Sequence, residues 1–152
     1  MIEQSSTGNP LSNAIDSSLS VSVRVDATGF VGFANTGYKG VPVQDVEYWS
    51  SFHMLGEYEG PIVLRLVGSE NERVYASQSV NVSSTGREWT QYETSFVAEK
   101  SLVGENEWQL LFDSGIALGH PLEFALVQLF PPTLNDRYVD CLRTRLITGR
   151  TV

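Results

Sequence analysis

Leu19-Ser20-Val21-Ser22-Val23-Arg24-Val25 alternates apolar and polar residues without a break. A period of two is the signature of a strand with one dry and one wet side. Leu19, Val21, Val23 and Val25 therefore share a face, with Ser20, Ser22 and Arg24 on the other. The same pattern recurs outward along the chain, near residues 29–35, 45–55, 61–68, 74–82, 88–98, 108–113 and 122–130, which predicts eight strands. No window of 11 residues sustains a helical period, although Asp140 to Leu146 fits a short helix or a ninth strand. The joints carry turn chemistry: Asn35-Thr36-Gly37, Gly56 to Pro61, Gly68 to Glu72 and Ser83-Ser84-Thr85-Gly86. The predicted class is all-β, a jelly-roll β-sandwich of eight to nine antiparallel strands. Alternation assigns Leu19, Val21, Val23, Phe33, Tyr48, Phe52, Leu64, Leu66, Val80, Tyr92, Phe96, Leu110 and Phe112 to its interior.

A chain of 152 residues with 41% hydrophobic and 18% charged residues reads as one ordinary globular domain. We expect residues 1–8 to be a loose tail, 9–146 the sandwich and 147–152 a second tail. Ten Lys and Arg against 18 Asp and Glu give a net charge of -8, a field that repels a polyphosphate and excludes nucleic acid as a partner. No apolar run approaches the roughly 20 residues of a membrane helix, and the first residues lack the pattern of a signal peptide, so neither is expected. The single cysteine, Cys141, has no partner for a disulfide and no neighbours at zinc-ligand spacing. Asn81-Val82-Ser83 is a formal glycosylation sequon.

Catalytic constellations are poorly served. His53 and His120 stand in no nucleophile context, and the Gly pairs at Gly29 and Gly32 and at Gly37 and Gly40 do not lie between a strand and a helix. Glu57 with Glu59, and Glu70 with Glu72, read as solvated loop tips rather than as an acid and base pair. No cofactor is expected. The informative residues are aromatics on the polar sides of strands. Trp49 shares a side with Ser51 and His53, Tyr75 with Ser77 and Ser79, and Trp89 with Gln91 and Glu93. Flat rings stack on the apolar faces of sugars while amides, hydroxyls and guanidinium groups bond their hydroxyls. Trp49, His53, Tyr75 and Trp89, with Arg65, Ser51 and Gln91 nearby, are thus expected on one side of one sheet as a carbohydrate-binding surface. Rings covered by a loop or by another domain are the competing reading.

Several segments resemble the non-catalytic β-sandwich region of fungal α-L-arabinofuranosidases of glycoside hydrolase family 51. They are Asn9 to Leu19, Val31 to Val43, Tyr48 to Phe52, Trp89-Thr90-Gln91-Tyr92-Glu93 and Val127-Gln128-Leu129-Phe130-Pro131-Pro132-Thr133. The resemblance spans roughly residues 9–146. It implies a module similar to carbohydrate-binding families 4 and 9, followed in such enzymes by a (β/α)₈ barrel that carries the catalytic glutamates. No catalytic residue is carried over to this chain. The ligand class implied is arabinose-decorated plant cell-wall polysaccharide, arabinoxylan or arabinan, the further partner a catalytic barrel, and the location extracellular. Tyr38, in the Asn-Thr-Gly-Tyr turn that carries part of the resemblance, joins the candidate binding residues, although Lys39 follows where many members have Trp. Asp140-Cys141 departs from the family's Asn-Gly. The structural calcium common in such modules is not expected, because Ala125-Leu126 replaces the acids of the last strand.

Overall fold

A computed structural model describes residues 2–6, 17–23, 28–37, 40–101 and 104–132. Among them are nine strands: β1 (Ile2–Ser6), β2 (Ser17–Val21), β3 (Phe30–Asn35), β4 (Glu47–Leu55), β5 (Glu57–Gly68), β6 (Val74–Thr85), β7 (Thr90–Val97), β8 (Asn106–Asp113) and β9 (Leu122–Phe130). They form a five-stranded sheet in the order β1-β2-β9-β4-β7 and a four-stranded sheet in the order β3-β8-β5-β6. Every pairing of these strands is antiparallel. The all-β sandwich expected from the alternation is the fold. Ile2–Ser6, expected as part of a loose tail, instead pairs with β2 as an edge strand. Asp140 to Leu146 and Cys141 lie outside the described residues.

The inner faces of the two sheets make the core. Val21, Tyr48, Phe52, Leu64, Leu66, Phe96, Leu110 and Phe112 are buried, and Val23, Phe33, Val80 and Tyr92 pack against them. All were assigned inward by alternation; the side chain of Leu19 lies outside the described set. Phe124 on β9 sits at the centre. Its ring stacks on Phe112 of the opposite sheet with centroids 6.0 Å apart, meets Phe33 edge-on at 5.5 Å and touches Phe52 at 6.3 Å.

Two bulges depart from simple alternation. On β6, Ala76 pairs with Leu66 and Val74 with Val67, which leaves Tyr75 as an extra residue. Tyr75 thereby turns into the core at 5% exposure, whereas Val74, expected on the dry side, is 44% exposed. On β9, the pairing with β4 slips between Ser51 and His53, and Leu126 adopts a positive φ of 47°. That extra residue sends Val127 and Leu129 toward the core and puts Gln128 on the outer side with Ser51.

The chain crosses from one sheet to the other at Gly56, between β4 and β5. Its φ of 130° suits glycine, and a Cβ there would come within 2.7 Å of the Pro121 carbonyl oxygen. Strand β5 therefore starts at Glu57, so Glu57 and Glu59 lie on a strand, not on a loop tip as expected. Pro61 falls within β5 without breaking it. Its carbonyl accepts the Tyr58 hydroxyl at 2.7 Å on the β8 side, and pairing with β8 begins only at Ile62, so the missing N–H removes no ladder bond. The same hydroxyl accepts the Asp113 N–H at 3.0 Å. At the far end, β9 stops at Phe130, the limit expected from the alternation, and the exposed Pro131 and Pro132 lie outside the ladder.

Truncating the ring that joins the two sheets is expected to be among the costliest core deletions: Phe124→Ala should lower the unfolding free energy by about 3–5 kcal/mol, measured by urea denaturation. A loss below about 1 kcal/mol would contradict its central place.

Candidate functional site

The residues singled out for carbohydrate contact divide between the two sheets. Trp49 and His53 are on β4, and Trp89 leads directly into β7, the neighbouring strand. Arg65 is on β5 and Tyr75 on β6, in the other sheet. The expectation that all four rings share one surface is therefore corrected. Tyr75 is turned inward by its bulge, with its hydroxyl accepting from Asn71 Nδ2 at 3.3 Å and the Arg73 guanidinium over its ring at 5.4 Å. Arg65 points out from the opposite sheet and donates to Gln109 Oε1 at 2.7 Å. Gln109 in turn donates to Glu107. Tyr38 lies outside the described residues.

What remains together is the outer side of β7, β4 and β9. Register places Ser95 beside Trp49 and Phe130, Glu93 beside Ser51 and Gln128, and Gln91 beside His53 and Ala125. The surface is graded. Toward Phe130 it is closed: Trp49 is 8% exposed, and its ring stacks on Phe130 with centroids 5.9 Å apart. Toward β7 it opens: Gln91, Glu93 and Ser95 are exposed and Trp89 is half-buried. Trp89 precedes Thr90, which pairs with Met54, whereas Trp49 pairs with Ser95. The two indoles thus sit ~20 Å apart along the strands, at about 3.3 Å per residue.

Polar groups lie between them. Ser51 donates to Gln128 Oε1 at 3.3 Å, and Gln91 Nε2 donates to Glu93 Oε1 at 2.9 Å. His53 is half-buried, and its Nδ1 has no hydrogen-bond partner. Burial pushes its pKa below the usual imidazole value, which keeps the ring neutral near pH 7 and able both to donate and to accept. Phe130 and Gln128 were not singled out from sequence. Straight alternation from Phe124 puts both inside, and only the Leu126 bulge brings them to this surface. For the calcium associated with such modules the donors do not fit: Ala125 is buried, Leu126 is apolar, and among the described residues no three His, Cys, Asp or Glu gather to hold a metal.

No family model matches the chain. It is 62% identical over 128 residues to the probable α-L-arabinofuranosidase A of Emericella nidulans, covering 84% of this chain and 23% of that protein. The corresponding protein of Aspergillus terreus is 40% identical over 131 residues, covering 86% of this chain and 21% of that one. The chain thus spans less than a quarter of the length of these curated relatives. Among solved structures, an arabinose-bound GH51 α-L-arabinofuranosidase superposes with a TM-score of 0.84 at 27% identity, over 91% of this chain and 23% of that one. A family 61 carbohydrate-binding module in complex with β-1,4-galactotriose shares the fold alone, with a TM-score of 0.53 at 17% identity over 86% of this chain and 81% of that one.

Two measurements separate structure from recognition on this surface. Trp49→Ala should destabilise the domain by about 3–5 kcal/mol in urea, as for a core aromatic, whereas Gln91→Ala should change stability by less than about 0.5 kcal/mol. Above pH ~6.5 His53 is neutral folded and unfolded alike; below it the unfolded chain takes up a proton that the folded ring resists, so stability falls with acidification. His53→Gln should therefore lose less stability than the wild type between pH 7.5 and pH 5, and equal losses would refute the assignment. The chain is thus a homologue of a region, less than a quarter in length, of fungal α-L-arabinofuranosidase A, and in the solved GH51 enzyme the region that superposes on it is a β-sandwich.

Proposed function

We propose that the domain is a carbohydrate-binding-like module that holds arabinose-decorated plant polysaccharide, arabinoxylan or arabinan, in the service of a catalytic barrel and outside the cell. The observation that carries this is the open half of the five-stranded sheet. There the half-buried Trp89 and the neutral His53 flank the exposed Gln91 and Glu93 in neighbouring strands. An indole offers a flat apolar surface to a sugar ring, and the amide, carboxylate and imidazole offer both donors and acceptors to its hydroxyls. Each such contact is worth ~1 kcal/mol, which sets a modest affinity for a few sugar residues. Trp49 belongs to the support of this surface rather than to the contact, because a ring 8% exposed and stacked on Phe130 has no free face to give. Tyr75 and Arg65 are likewise left out of it.

A second reading is a buttress that meets another protein surface and binds no sugar: Trp49, Ser51, Leu55 and Ala125 on the outer side of β4 and β9 are already covered by the chain's own residues, which leaves a sugar little of this side to contact. Binding of the purified chain to arabinoxylan, arabinan, xylan and cellulose, by affinity electrophoresis and calorimetry, decides between them. The module reading expects binding to the arabinosylated polymers, weakened about fivefold by Trp89→Ala in a domain that still folds, and by Gln91→Ala with the melting temperature unchanged. Absence of binding to every polymer supports the buttress. An aryl arabinofuranoside assay should show no turnover above buffer, and turnover abolished by changing one Glu would overturn the non-catalytic assignment.

A further inference from the structure

Three connections meet at one end of the sandwich: Gly56 between β4 and β5, Gly86 to Glu88 between β6 and β7, and residues 114–121 between β8 and β9. They are held tightly. A Cβ on Gly86 would lie 3.2 Å from the Glu57 nitrogen, and one on Gly60 would meet the Ile116 side chain at 2.7 Å. Asp113 Oδ1 accepts from the Gly115 N–H at 2.8 Å and from the Ile116 N–H at 3.3 Å, which fixes the loop that carries Ile116. Between these connections opens a cleft of about 830 Å³, lined by Glu57, Glu59, Ser84, Arg87, Ile116 and His120 among others. That volume is within the range of about 300–1,000 Å³ typical of small-molecule sites.

Its chemistry narrows the ligand. Two carboxylates, a guanidinium and an imidazole face one opening, so neither an anion nor an apolar molecule suits it; the chain's net charge of -8 opposes a phosphate further. A metal ion is not served either, since among the described residues no three His, Cys, Asp or Glu are grouped to hold one. Ser84 borders the cleft from beneath: it is 6% exposed, its hydroxyl is closed off from solvent, and its side chain shares the side of β6 that carries the core residue Val82. Carboxylates accept from vicinal hydroxyls, Arg donates to them, and the exposed Ile116 covers the C–H edge of a ring.

We propose that this cleft takes a neutral saccharide unit, a chain end or a single-sugar branch, held through its hydroxyls by Glu57, Glu59 and Arg87. The inference rests on the reading that the domain binds carbohydrate, and it adds to the sheet surface a second, end-on site. The sheet then holds the length of a chain and the cleft its terminal or branching sugar.

Calorimetry of the chain with arabinotriose and with arabinoxylan tests it. Arg87→Ala and Glu59→Gln are each expected to weaken arabinotriose about fivefold, one hydrogen bond's worth. The melting temperature without sugar should hold for both. Arabinotriose affinities within twofold of wild type in both variants would overturn the cleft. So would an arabinotriose affinity lowered only by Gln91→Ala, or arabinoxylan binding by a chain that ignores arabinotriose; these outcomes leave the module reading standing. Failure to bind either sugar removes both.

Discussion

One aromatic ring ties the sandwich together. Phe124 lies in the five-stranded sheet, yet it stacks on Phe112 and meets Phe33 edge-on in the four-stranded sheet, and it touches Phe52 on the neighbouring strand. Sheets packed at about 10 Å need side chains long enough to reach across, and rings do this with defined geometry and large buried area. Around this cluster, Leu64, Leu66, Leu110 and Ile62 are fully buried and complete the inner layer. The outer surfaces inherit their positions from it, because the period of two fixes which side chains point away once the inner set is anchored.

The local departures matter as much as the rule. Leu126 holds a left-handed φ of 47°, a conformation that costs a branched side chain roughly 1–2 kcal/mol. The gain is on both sides of the sheet. Val127 and Leu129 reach the core, Gln128 receives the Ser51 hydroxyl, Ser50 donates to the Gln128 carbonyl at 2.8 Å, and Phe130 lies against Trp49. Without the extra residue, Gln128 and Phe130 would face inward and Trp49 would lose its stacking partner. The bulge on β6 works in the opposite sense, turning a tyrosine inward and a valine outward.

Alternation was therefore legible wherever pairing is regular. The inward residues of β4, β5 and β8 could be read directly, because Tyr48, Phe52, Leu64, Leu66, Leu110 and Phe112 recur at a strict spacing of two. Bulges carry no comparable signal in a single sequence: Val74-Tyr75-Ala76 and Ala125-Leu126-Val127 are apolar throughout, so nothing marks which residue is the extra one. This is why Tyr75 was expected outside and Phe130 was not singled out. Nor does alternation say which strands are neighbours. Trp89 and His53 are carried by neighbouring segments because β7 pairs with β4, and Arg65 is separated from them because β5 belongs to the other sheet. The resemblance to arabinofuranosidases survived these errors, since it rests on strings of residues rather than on where each one points.

The two proposed contact regions share a physical logic that follows from the chain's charge. A domain carrying -8 repels polyanions at long range, while neutral sugars feel no such field and are retained only by short contacts. Both regions supply mixed donors and acceptors instead of a single sign: Gln91, Glu93 and His53 on the sheet, and Glu57, Glu59 and Arg87 at the end. Neither offers a deep apolar enclosure. Recognition built this way depends on several weak bonds made at once, so its strength comes from extending along a repetitive ligand rather than from one pocket. Strands β4 and β5 join the two proposed regions through Gly56, where the chain passes from the five-stranded to the four-stranded sheet within a single residue. Because one continuous stretch of chain supplies donors to both, a polymer that met both at once would be held by the sum of their contacts.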